Sequence, residues 1–202
     1  YTIDNNLYVV NTDNQHINLT NEENKNIIFG QAVHRYEFGI YKGTFWSNNG
    51  DQIAFYRKNE SMVTDYPLMN ISSRVGHVDI IKYPMAGMSS HHVLLGVYNF
   101  NTNKTIYIDT GEPQEQYLTN ISWGPQDKYI YIAVLNRDQN YLKFNQYSAI
   151  DGSFIKTLFE ENGWTVPTTL EELEDVAGKI QAKGMNVFSY GSDGWQPTHD
   201  QL

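Results

Sequence analysis

The stretch Tyr36–Tyr56, YEFGIYKGTFWSNNGDQIAFY, begins with a lone carboxylate, Glu37, set among aromatics and glycines. It continues as a β-rich run, Thr44-Phe45-Trp46, a Ser47-Asn48-Asn49-Gly50 turn and a second run, Gln52 to Tyr56. Asn-Gly between two such runs is a strong turn signal, because both residues tolerate positive φ. One segment thus carries a hairpin and, just ahead of it, a candidate functional group. Outward from this hairpin, the pattern repeats. Trp46-Ser47-Asn48-Asn49-Gly50-Asp51-Gln52-Ile53 is matched by Trp123-Gly124-Pro125-Gln126-Asp127-Lys128-Tyr129-Ile130, with an aromatic before the turn and an apolar residue at the same distance after it.

A second hairpin type alternates with the first. Asn6–Val10 and His16–Thr20 flank a turn at 11–14, Val97–Phe100 and Thr105–Ile108 flank one at 101–104, and Phe144–Ser148 and Ser153–Leu158 flank one at 149–152. Residues 30–43 lack alternation and are bounded by glycines, which predicts a loop with one helical turn. Residues 57–92 form a long excursion with a strand at Val78–Lys82, followed by a strand from Val93 to Tyr98. Two hairpin types recurring in turn are what four-stranded blades produce, each blade burying its faces on its neighbours. The expected fold is therefore all-β, a β-propeller fragment of about three blades over residues 1–160; an antiparallel sandwich is the structural alternative. Trp46 and Trp123, at equivalent repeat positions, are expected in blade cores.

After Glu161 the grammar changes. Thr169 and Glu172 form a capping box, and Leu170, Leu173, Val176 or Ala177, and Ile180 make one apolar stripe. Lys179 and Lys183 fill the last turns and Gly184 stops the helix. Met185–Tyr190 reads as a strand, so residues 161–202 are expected to be a short α/β helix-strand tail.

Composition narrows the functional classes. With 14 Lys+Arg against 23 Asp+Glu, a pI near 5.0 and no basic run, nucleic acid and anionic membrane are disfavoured as partners. The absence of cysteine removes disulfides, thiol nucleophiles and cysteine-ligated metals. No apolar run reaches the roughly 18 residues of a membrane span, and no leader precedes Tyr1, so both ends read as cut points. His91-His92 lie next to each other in a strand and face opposite ways, which disfavours chelation of one ion; no metal or cofactor is expected. The nearest approaches to a G-x-S-x-G nucleophile elbow, around Ser89 and Ser192, both fail, so the chain is expected to be inactive by itself.

VHRYEFGIYKGTFWSNNGDQIAFYR, YPMAGMSSHHV, TGEP and LTNISWGPQDKYIYIAVLNRDQN together resemble the propeller domain of bacterial dipeptidyl peptidase IV-like serine exopeptidases of the prolyl oligopeptidase clan. The resemblance implies an eight-bladed propeller capping a catalytic α/β-hydrolase domain, with a homodimer as a candidate assembly and a periplasmic or otherwise extracytoplasmic bacterial setting. It also implies a peptide substrate held by its free N-terminus. In that family a propeller loop offers paired glutamates to the substrate ammonium; here Arg35 and Tyr36 precede a single Glu37, and these three form the expected substrate-binding set. The plainer alternatives are a solvated loop Glu37, or one paired locally with Arg35 or Lys42. The tail, VPTTLEELEDVAGKIQAKG with GSDGWQPTH, is similar to the first lobe of sugar-type solute-binding proteins of ABC transporters, and makes Asp193 and Trp195 candidate ligand contacts. A sugar-binding component is accordingly the rival function, and an interaction propeller without an enzyme a third.

Overall fold

A computed structural model of the chain describes residues 1–158 and 167–182. Two compact units divide it, Tyr1–Glu161 and Asn162–Leu202. In the first unit, β1 (Thr2–Ile3), β2 (Asn6–Val10) and β3 (His16–Asn18) form a three-stranded antiparallel sheet. The second sheet is built from β4 (Ile27–Phe29), β5 (Thr44–Trp46), β6 (Gln52–Asn59), β9 (His92–Asn99) and β10 (Lys104–Tyr107). Its path runs β10-β9-β6-β4, with β5 also on β6. Between β6 and β9, β7 (Asp65–Asn70) and β8 (His77–Lys82) pair only with each other. The third sheet is a sequential four-stranded meander of β11 (Gln116–Trp123), β12 (Tyr129–Asn136), β13 (Leu142–Ser148) and β14 (Phe154–Thr157). The chain is a partial β-propeller, as the alternating hairpins predict.

The decisive strand is β6. Its alternate residues enter different cores: Ile53 and Phe55 join Leu7, Val9, Ile27 and Phe29, whereas Ala54 and Tyr56 join Leu118, Ile130, Ile132 and Tyr147. Period-2 side-chain direction therefore buries both faces of the middle sheet, one against the first sheet and one against the third. A sandwich strand would bury one face and wet the other. Polar ties reinforce the second contact. The Tyr56 hydroxyl donates to Leu118 O at 2.7 Å, and the Trp123 indole donates to Phe45 O at 3.0 Å.

The two Trp turns meet. Asp127, from the turn between β11 and β12, accepts from the Asn48 N–H (3.0 Å), the Asn48 amide (2.6 Å) and the Asn49 N–H (3.0 Å). Desolvation pulls the Asp127 carboxyl upward, but these hydrogen bonds outweigh it and hold the group below its ordinary value. Within the first turn only Gly50 uses positive φ, at 79°; Asn49 instead ties its side chain to Ser47 and Asp51. The equivalence of the tryptophans is only partial. Trp123 is half-buried, while Trp46 is 53% exposed and stacks on Phe100 at 5.5 Å, so the blade-core expectation for Trp46 is corrected.

Two further differences from the sequence reading concern pairing. The excursion 57–92 contains a complete hairpin, not one strand, and leaves Leu68, Met69, Ile71, Val78 and Ile80 exposed. The N-terminal hairpin gains β1 on one side, while β4 pairs with β6.

In the second unit the described part is α1 (Leu170–Ala182). Its capping box forms: the Glu172 N–H donates to Thr169 Oγ1 at 3.2 Å, and the Glu172 carboxylate accepts from the Thr168 N–H at 2.7 Å. Lys179 pairs with Asp175 one turn back. The strand expected at 185–190 and the stop at Gly184 lie outside the described residues.

Candidate functional site

The glycine-bounded loop 30–43 is pinched at its neck. The Gly30 N–H donates to Tyr56 O and the Tyr56 N–H to Gly43 O, at 2.9 and 3.0 Å. A Cβ on Gly43 would lie 2.2 Å from the Gln31 carbonyl carbon, so only glycine fits there. Beyond the neck, the predicted helical turn exists at His34–Tyr36, but it is left-handed: φ is 52° at His34, 56° at Arg35 and 65° at Tyr36, and Phe38 follows at 55°. Non-glycine residues in this region cost about 1–2 kcal/mol each, so something outside the turn must hold it.

That hold comes from the neighbouring sheet and from the segment before β9. His34 is buried between His91, with ring centroids 4.6 Å apart, and Tyr117, at 4.7 Å. Its Nδ1 lies 3.0 Å from His91 Nε2. Phe38 packs on Tyr117 at 4.5 Å and its carbonyl accepts from Thr119 Oγ1 at 2.6 Å. Arg35, Tyr36 and Glu37, between these anchors, are exposed.

Arg35, Glu37, His34 and His91 line a cleft of about 380 Å³, together with Lys58 and Arg137 among others. Its charges are mostly paired off. Lys58 bridges Glu60 at 2.7 Å and Lys82 bridges Asp65 at 2.9 Å. Arg137 donates to the Tyr117 hydroxyl at 2.6 Å and lies 3.7 Å from Glu115. Arg35 sits over the Tyr83 ring at 4.8 Å and Lys42 over Phe45 at 5.5 Å. Glu37 is exposed and forms no ion pair or side-chain hydrogen bond among the described residues, so of the two plainer alternatives the local pairing with Arg35 or Lys42 is not made. Of the sequence-predicted set, Arg35 and Glu37 share the cleft; Tyr36 is exposed and does not line it. Asp193 and Trp195 lie outside the described residues.

Burial is the main reason the two imidazoles resist protonation. Desolvation, then the charges of His91, Arg137 and Lys58, lower the His34 pKa to about 3. Desolvation, then Lys58, Arg137 and His92, lower that of His91 to about 4. The pair is neutral at pH 7. Sequence reasoning disfavoured a His91-His92 chelate; among the described residues no cluster of three or more metal-ligating side chains occurs. It missed the His34–His91 contact and the part played by Tyr117 and Arg137. No local signal marks a pair 57 residues apart; the unusual polar His34 ahead of an apolar-aromatic run was the sole hint.

A propeller segment whose blade-to-blade cleft is walled by one strained loop, with one unpaired carboxylate on its rim, is the class that fold and site define. The chain belongs to the family described as the dipeptidyl peptidase IV (DPP IV) N-terminal region, whose model matches residues 1–196. A Bacteroides ovatus structure assigned as a dipeptidyl aminopeptidase IV is 54% identical, with a TM-score of 0.70 over 78% of this chain and 22% of that one. Porphyromonas gingivalis dipeptidyl peptidase 4 is 25% identical, with a TM-score of 0.69 over 77% and 23%. A dipeptidyl-aminopeptidase B assigned in Phaeosphaeria nodorum is 28% identical over 181 residues, 80% of this chain and 20% of the relative. The chain thus spans about a fifth of the length of the relatives it matches.

Proposed function

We propose that this chain is the propeller portion of a dipeptidyl-peptidase-like serine exopeptidase, which admits peptides to a separate catalytic α/β-hydrolase domain and reads their free N-terminus through Glu37. The observation that carries the reading is the unpaired Glu37 carboxylate on the rim of a cleft whose other lining acid, Glu60, is bridged by Lys58. A peptide ammonium about 4 Å from that carboxylate, at an effective dielectric near 20, gains roughly 4 kcal/mol before desolvation is subtracted. One carboxylate is enough to rank a free N-terminus above a blocked one. Arg35, two residues away on the same rim, suits a carbonyl oxygen of the same peptide.

The test is Glu37→Gln in the full-length protein. The expected outcome is a rise of roughly tenfold or more in KM for dipeptidyl substrates, with kcat changing far less, which is the mark of lost uniform binding. An unchanged KM and an unchanged preference for free N-termini would overturn the reading.

The isolated β7–β8 hairpin favours a homodimer as the assembly, because a two-stranded ribbon with exposed apolar side chains on both strands gains stability only against another surface. The proposed setting is extracytoplasmic. The rival, a sugar-binding role for residues 162–202, draws on the separate compact unit and its capped helix. Calorimetric titration with sugars separates it: heat that depends on Trp195 supports it, and its absence ends it.

A further inference from the structure

We propose that His34 and His91 form a positioning pair, an imidazole–imidazole hydrogen bond that holds the left-handed turn and thereby fixes Arg35 and Glu37 at the rim of the cleft. The inference rests on the reading of Glu37 as the ammonium contact.

The geometry leads there in three steps. The turn's own backbone bonds, Tyr36 N–H to Val33 O and Glu37 N–H to His34 O, at 3.3 and 3.0 Å, close a tight turn but cannot offset three consecutive left-handed residues. The compensation has to be tertiary, and it is applied at the two ends of the exposed triplet: His34 before it and Phe38 after it. The Phe38 end is held by packing and by Thr119. The His34 end is held by the 3.0 Å bond to His91, which sets the angle of the ring as well as its depth.

The partners of the pair are themselves tied in a closed circuit. The N–H of Ser90, next to His91, donates to Glu115 Oε1 at 2.9 Å. Glu115 faces the Arg137 guanidinium at 3.7 Å. Arg137 donates to the Tyr117 hydroxyl, and the Tyr117 ring returns to His34. The circuit joins the loop, the segment before β9, the start of β11 and the residue that follows β12. Two phenylalanines would fill the same space but would not fix the rotation of either ring. His34 Nε2 has no hydrogen-bond partner among the described residues, so the bond at Nδ1 is what anchors this buried ring by a polar contact. The groups facing the pair are Lys58 from β6, Arg137 and Tyr117 from the third sheet, and His92 from β9. With two cations that close, the pair works as neutral rings, one donating and one accepting.

The experiment compares His91→Phe, which keeps a ring on His34 but removes the bond, with His91→Gln, whose amide can replace Nε2. Both are made in the full-length protein beside Glu37→Gln. His91→Phe should raise KM for a dipeptide anilide with a free N-terminus roughly tenfold, the factor that about 1.4 kcal/mol carries, with kcat within about twofold. His91→Gln should recover most of the loss, which a purely structural packing role would not allow. In the unmodified protein with ¹⁵N-labelled histidine, a through-hydrogen-bond nitrogen–nitrogen coupling should join the two rings and vanish in His91→Phe. If Glu37→Gln raises KM and His91→Phe does not, the positioning role is overturned while the ammonium contact stands. If Glu37→Gln itself leaves KM unchanged, both fall. Where His91→Phe does not yield folded protein, His91→Asn, too short to span to Nδ1, is judged by the same two constants.

Discussion

Eight residues separate two tight turns that solve opposite problems. The Ser47–Gly50 turn places its one positive φ on a glycine and satisfies its polar groups locally or on Asp127, although its sequence copy at 124–127 puts positive φ on Gln126 and Asp127. The His34–Phe38 turn occurs once, places positive φ on His34, Arg35, Tyr36 and Phe38, and survives only because His91, Tyr117 and Thr119 grip its ends. The first is relaxed and serves the scaffold. The second stores strain, and stored strain concentrates at sites that must present side chains in a set direction.

Acid should break this contrast most strongly. His34 and His91 have pKa values of about 3 and 4 in the folded state against 6.5 unfolded. Between these limits the unfolded chain binds more protons, so their contribution is complete above pH 6.5 and is lost as pH falls through about 4 and then about 3. A pH series of the unfolding transition should show that loss. A His34→Phe/His91→Phe variant should show a shallower pH dependence in this window, even if its stability at pH 7 is lower. Next in size, Asp127→Ala removes a carboxylate that accepts three hydrogen bonds across the blade contact. It should lower the propeller's stability by about 2 kcal/mol, the scale of charge-assisted bonds, and should speed hydrogen exchange at the Asn48 and Asn49 amides.

Smaller effects of opposite sign sharpen the comparison. Gly50→Ala forces a Cβ onto φ 79° and should cost about 1 kcal/mol. Tyr36→Asn places a residue that tolerates the left-handed region at φ 65° and should stabilise by about 0.5 kcal/mol. Both are read as shifts of the propeller unfolding transition. If the two shifts had the same sign, the division into relaxed and strained turns would fail.

Much of the scaffold was legible residue by residue. Asn-Gly at 49–50 and the alternating runs around it marked β5 and β6, the copy at Trp123 marked β11 and β12, and Thr169 with Glu172 marked the start of α1. These signals are local, so neighbours along the chain are sufficient to form them. The β7–β8 ribbon was half legible, because Val78–Lys82 alternates while Asp65–Asn70, interrupted by Pro67, does not. Trp46 was misplaced because a repeat position specifies the backbone slot and leaves side-chain depth to the neighbouring blade.

By itself, the sequence determined the strands, their turns, the alternation that builds blades and the presence of a single carboxylate in a glycine-bounded loop. Tertiary structure alone decided the hand of that loop's turn, the freedom of Glu37 from Arg35 and Lys42, and the meeting of His34 with His91. The physical reason is distance along the chain. Hydrogen-bonded turns and period-2 burial act within a few residues, whereas the forces that offset left-handed strain come from side chains 57 to 83 positions away, which only the packed blades bring together.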